Sequence, residues 1–195
     1  LALDSSYSSP WTLSLPRGPL PILPAEPPRS LTDWLFLLYL AGALGLALWY
    51  LGCALRLSLR VSRGVPVEVP RRAAIDAVAQ RYQLPRPRRV VECRWERSPF
   101  LTGFFAPALV LPMGWEPDEA VILHKLLHLK HRDLWAGWLT AALRCLHWCD
   151  PLLWLAFDKA DNDREALCDQ RVLERLEGED RRDYGRVLLS MADSR

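Results

Sequence analysis

Between Trp34 and Leu55 the chain runs for 22 residues without a single charge, WLFLLYLAGALGLALWYLGCAL. As an α-helix at about 1.5 Å per residue it covers about 33 Å, the thickness of a bilayer's hydrocarbon core. A buried helix of a soluble protein is the alternative. The length without charge, with Trp34 at one end and Trp49 near the other, favours a span, because indole rings settle at the headgroup level. Arg56, Arg60, Arg63, Arg71 and Arg72 follow at once. Basic residues gather on the cytoplasmic flank of a span, so the expected order is an extracytoplasmic segment 1–30, a transmembrane helix 31–56 and a cytoplasmic, membrane-associated domain 57–195. Residues 1–30 hold seven prolines and no apolar periodicity, which predicts an extended linker or loop. The chain starts at Leu1 with no signal-peptide pattern and reads as a piece of a longer protein.

The remaining length suffices for one domain of ordinary size. Twenty-five basic and 23 acidic side chains give a net charge of only +2, which argues against nucleic acid as a partner. The five cysteines are odd in number and scattered, unlike a disulfide scaffold. Apolar spacing predicts a short helix over 71–83, ended by Pro85 and Pro87. Val90–Cys93 and Ala108–Leu111 read as strands, with 98–107 an irregular connection between them. Pro117, Asp118 and Glu119 open a helix expected over 117–132. Residues 134–157 are mostly apolar but contain Arg144, His147, Asp150 and Pro151, so they read as a helix against the bilayer or the span, not a clean crossing. Asp150 caps a further helix that Pro151 begins and Gly178 ends, and the tail from Arg181 reads as helical. The fold class is therefore mainly α with a small β element.

His124 and His128 are four apart on a predicted helix, so both imidazoles leave one face and can share a cation. A structural histidine pair is the alternative. Glu165 and Asp169 are four apart on a second predicted helix. One carboxylate would complete a three-ligand zinc site with a fourth position open to water, and the other could fix a histidine tautomer. A solvated charged face, to which Asp161, Asp163, Arg164 and Arg171 contribute, is the other reading.

Five segments occur in an order that resembles the BlaR/MecR-type integral-membrane metallopeptidases: SPFLTGFFAPALVLP (98–112), HKLLHLKHRD (124–133), LHWCDPLLWLA (146–156), DREALCDQRVL (163–173) and YGRVLL (184–189). The resemblance implies a gluzincin-like (zincin) metallopeptidase domain beside a transmembrane helix in a bacterial cytoplasmic membrane. It implies Zn2+ on His124, His128 and Glu165, with Asp169 supporting a ligand. It also implies hydrolysis of a cytosolic protein, or of the protein itself, in regulated proteolysis and signalling. One residue departs from it. Lys125 stands where the family carries its catalytic glutamate.

A glutamate beside metal-bound water takes its proton and returns it to the leaving amine. A lysine ammonium has no lone pair with which to do so. Its repulsion with a dication at ~5 Å and an effective dielectric of ~20 is on the order of 6–7 kcal/mol before relaxation. Ordinary hydrolysis is expected to be lost or severely reduced, leaving an impaired peptidase or a pseudopeptidase that binds a partner or transmits a signal. A further expectation is that the ammonium could pair with Glu165 or Asp169 and replace the metal. Cys145, Cys149 and His147 could suggest a second metal site, although packing is the more ordinary role for thiols in an apolar helix. Cys168 reads as buried filler. His131 reads as capping or solvated. Strand 108–111 could offer an open edge or lie inside the sheet. Lys130, Arg132 and Arg144 could meet anionic lipid heads.

Overall fold

Ser30 opens the first helix. Its hydroxyl accepts from the Asp33 N–H (3.2 Å), and the Asp33 carboxylate accepts from the Ser30 N–H (2.7 Å), a reciprocal cap. From this cap α1 runs Leu31–Ser62, about 48 Å of helix. The computed structural model describes residues 30–193, so the proline-rich linker expected over 1–30 lies outside the described residues, apart from Ser30. α1 contains the whole charge-free run and is long and apolar enough to cross a membrane, with none of its most apolar window buried. It continues six residues beyond the expected end at 56. Arginines propagate a helix well, and Leu57 and Val61 find apolar partners on the sheet.

Four strands follow in chain order, with helices between and after them: β1 Val65–Pro66, α2 Val69–Arg81, β2 Arg89–Cys93, β3 Phe100–Thr102, β4 Ala108–Pro112, α3 Glu119–His131, α4 Asp133–Leu146, α5 Pro151–Arg175 and α6 Gly178–Asp193. The sheet order is β1-β2-β4-β3, with β4 parallel to β2 and antiparallel to β3. Strand 108–111 is thus an inner strand, and the edges belong to β1 and to β3, the latter in the stretch expected to be irregular. β3 is three residues long, too short for alternation to show in sequence. Gly103, at φ +104, makes the turn after it, where a Cβ would stand 2.7 Å from the Ala106 carbonyl oxygen.

The pleat of β4 divides the interior. Leu109 and Leu111 join Ile75, Val78, Ile122, Leu123, Leu126, Leu127, Cys168 and Val172 in the main core between α2, α3, α5 and the sheet. Val110 faces the other way, with Val61, Val91 and Cys93, and fastens the end of α1 to the sheet.

Helix ends differ from the expected ones for local reasons. Pro70 lies in the first turn of α2, so that helix starts at Val69. Asp118 is extended and accepts from the Val121 N–H (3.0 Å), so it caps α3 and leaves Pro117 outside. α5 ends at Arg175 because Leu176 is extended, and Gly178, at φ +59, begins α6 instead of ending α5. Asp150 caps α5 as expected, accepting from the Leu152 and Leu153 N–H groups. Arg132 is left-handed (φ 58, ψ 35) and serves both as the end of α3 and the cap of α4. The chain therefore reverses between the two without a spacer.

Candidate metal centre

α3 passes through the core with Ile122, Leu123, Leu126 and Leu127 packed around it, which fixes its rotation and holds His124 and His128 at 9% and 8% exposure. Their Nε2 atoms converge to 2.9 Å. Glu165, from α5, brings Oε2 to 3.4 Å from each. Zinc bonds of about 2.0–2.1 Å at tetrahedral angles set ligand atoms about 3.3–3.4 Å apart, so three donors at 2.9, 3.4 and 3.4 Å fit one small cation.

The far side of each ring supports that reading. His128 Nδ1 lies 2.6 Å from Asp133 Oδ2, a carboxylate delivered by the abrupt turn at Arg132. His124 Nδ1 lies 2.9 Å from Asp169 Oδ1 and 3.0 Å from the Tyr184 hydroxyl, which donates to Asp169 at 2.7 Å. A carboxylate on each Nδ1 holds the proton there and leaves both Nε2 lone pairs facing one another and an anion. Such a set needs positive charge at its centre. Protons can supply it. Burial alone would lower the His128 pKa, but Cys168, Glu165 and Asp133 outweigh burial and raise it to about 10. His124 is raised as well: burial opposes the shift, while Cys168 and Glu165 drive it. Hydrogen bonds to both histidines hold Glu165 well below the usual carboxylate range. Burial and then the bond to Asp169 push Tyr184 up, so it stays a donor.

The arrangement unites His124, His128, Glu165 and Asp169, and adds three groups. Cys168 is 1% exposed, but it is more than filler: its Sγ lies with the histidine donor atoms in a group spanning no more than 4.8 Å. Burial opposes its ionisation, and the histidines overcome this and lower its pKa. Its position three residues after Glu165, on one helix face, was the available signal. Asp133 stands beyond a helix break and Tyr184 fifteen residues past Asp169, where periodicity says nothing. Among the described residues Cys145, Cys149 and His147 form no group of metal-ligating geometry.

Lys125 faces a cleft of about 540 Å³ beside the cluster, shared with His128, Glu165 and Arg164 and walled by Tyr50, Leu57 and Trp138. The expected pairing of Lys125 with Glu165 or Asp169 is absent. Lys125 makes no ion pair or hydrogen bond among the described residues, because the histidines already engage both carboxylates.

The described residues thus combine one helix long and apolar enough to cross a membrane, a small sheet and a buried His–His–Cys group that could hold a metal ion. The chain belongs to the BlaR1 peptidase M56 family, whose sequence model matches residues 23–195. The regulatory protein BlaR1 of Bacillus licheniformis is 32% identical over 98 residues, covering 48% of this chain and 16% of that protein. The methicillin resistance mecR1 protein of Staphylococcus aureus (strain Mu50 / ATCC 700699) is also 32% identical over 98 residues, covering 47% of this chain and 17% of its own length. The match therefore spans about a sixth of either relative.

Proposed function

We propose that the chain is the zincin-like, metal-binding part of a membrane-anchored sensor-transducer, carrying a peptidase site whose hydrolytic step Lys125 disables. Its place is the bacterial cytoplasmic membrane, with the segment before the span outside and residues 57–195 on the cytoplasmic side, where a cytosolic protein would be substrate or partner. The carrying observation is the convergence of two Nε2 atoms at 2.9 Å, each imidazole backed by a carboxylate on Nδ1.

His124, His128 and Glu165 would hold zinc, with Asp133 and Asp169 orienting the rings. When bound, zinc supplies Lewis-acid polarisation of a peptide carbonyl and of water. The chain itself must accept a proton from water and return it to the amine. Glu165 is committed to the histidines, and Lys125 offers no lone pair. The site can bind and position a chain segment in the cleft but lacks the group that moves the proton. Among the described residues Lys125 makes no ion pair or hydrogen bond, and its position on the cleft favours a role in binding or signalling over cleavage.

The test compares this chain with Lys125→Glu in a cleavage assay on a candidate cytosolic substrate, with bound zinc measured in both. Restored cleavage in the glutamate form alone supports the proposal. Equal cleavage by the lysine form overturns the argument from charge. No cleavage by a zinc-loaded glutamate form overturns descent from a peptidase mechanism.

A further inference from the structure

α4 and α5 form a hairpin whose tip, residues 147–150, lies alongside α1. The Trp148 indole rests against Gly42, in space that a Cβ there would fill, and its Nε1 donates to the Tyr39 carbonyl at 3.1 Å. The Tyr39 hydroxyl donates to the Leu146 carbonyl. At the other end α4 lines the cleft through Leu134 and Trp138, opposite Tyr50 and Leu57 of α1. The two helices thus run antiparallel. Measured from Leu55, the end of the charge-free run, Gly42 lies thirteen residues along α1, a depth of about 20 Å. A helix resting on a membrane surface sinks only about 5–10 Å, and a full crossing needs about 30 Å.

We infer that the α4–α5 hairpin is a re-entrant membrane element: it enters the bilayer beside α1, turns about two-thirds of the way through and returns, with its outer face covered by lipid acyl chains. This rests on α1 crossing the bilayer, as the proposed function has it.

The exposed face of α4 is formed by Trp135, Leu139, Ala142 and Leu146, none of them charged. The face continues onto α5 through Leu152 and Leu155, 74% and 66% exposed. On the side of α1 turned away from Gly42 and Tyr50, Leu44, Leu48 and Leu51 are exposed as well. Irregular backbone survives at such depth only when its polar groups find partners. Here the His147 N–H reaches the Leu143 carbonyl, the Asp150 N–H the His147 carbonyl, and the Asp150 carboxylate caps α5. Near the tip Arg144 is turned inward: it pairs with Asp158 at 2.5 Å and Asp161 at 3.6 Å and lies over the Trp154 ring, while Lys159, nearer the surface, pairs with Asp163 at 2.8 Å. At the base of the hairpin Phe104, Phe105, Trp135 and Trp138 stack together, as side chains do at a membrane–water boundary. The metal cluster then sits at that boundary, level with the last turns of the span.

The test places nitroxide labels at Leu139→Cys and Leu152→Cys in the chain reconstituted into phospholipid vesicles, with Cys53, Cys145 and Cys149 replaced by alanine. Leu44→Cys on α1 serves as the bilayer reference and Glu177→Cys as the aqueous one. Collisions with oxygen and with a water-soluble nickel complex are measured at each position. The inference predicts an oxygen-to-nickel ratio at 152 close to that at 44, and at 139, about 10 Å nearer the surface than the tip, a smaller ratio still several-fold above that at 177. A ratio equal to that at 177 overturns it, as does shielding from both reagents, which would put a protein partner or a second copy on this face. If position 44 itself reads as aqueous, the anchoring in the proposed function fails instead.

Discussion

Asp133→Asn removes one negative charge from a group that touches the histidine pair only through His128. The carboxylate is 17% exposed and its oxygen lies 2.6 Å from Nδ1, short enough for a charge-assisted bond. Asparagine keeps the size and an acceptor oxygen, so the ring keeps its place and loses the ionic part of the bond. Bonds to charged groups contribute about 1.5–3 kcal/mol and neutral ones about 0.5–1.5, a difference of about 1–1.5 kcal/mol. Loss of such an outer partner lowers metal affinity by roughly 10–100-fold, or about 1.4–2.8 kcal/mol. The two ranges meet near a tenfold loss. Zinc affinity is read by competition with a chromophoric chelator in detergent near neutral pH, with Asp163→Asn, a 58% exposed carboxylate paired with Lys159, as control. If Asp133→Asn binds zinc within about twofold of the parent, Asp133 does not act through a metal-ligating His128, and the reasoning from ring tautomers is refuted.

Other consequences follow from the same geometry. In the metal-free chain, His128 has its pKa raised from 6.5 to about 10, so its contribution to stability is complete below pH 6.5 and is lost as pH rises through 10. Glu165 is depressed from 4.5, so its contribution is present above 4.5 and is lost in acid. Thermal melts of metal-free protein should therefore peak between these values, and zinc should abolish the alkaline decline; a flat profile between pH 6.5 and 10 without metal contradicts the shift. Leu123→Ala empties a site at 0% exposure beneath the metal helix and should cost about 2–5 kcal/mol in denaturant unfolding. Gly42→Val places a branched side chain where the Trp148 ring lies, and should lower the melting temperature relative to the parent.

Elements built on local spacing could be read from the chain itself. The charge-free run, the histidines one turn apart and the Glu165–Asp169 pair each declare a helix face, and the core supplied by Leu123, Leu126 and Leu127 turns those faces toward one another. What lay beyond the sequence depends on contacts between distant segments or on single backbone angles. β1 and β3 exist because β2 and β4 offer them edges, since neither is long enough to show alternation. Asp133 reaches His128 because Arg132 adopts a left-handed conformation, for which arginine carries no special preference. Tyr184 reaches Asp169 only because α6 folds back on α5. The hairpin depends on Trp148 finding Gly42, a hundred residues away in the chain.

The most direct measurement of the central claim is elemental analysis of the purified chain after zinc loading and removal of excess ion, with anomalous scattering at the zinc edge to locate it. The account predicts one zinc per chain between the two imidazoles and Glu165, and none in a His124→Ala, His128→Ala double variant that still folds. A parent chain that retains no zinc under the same conditions would contradict it.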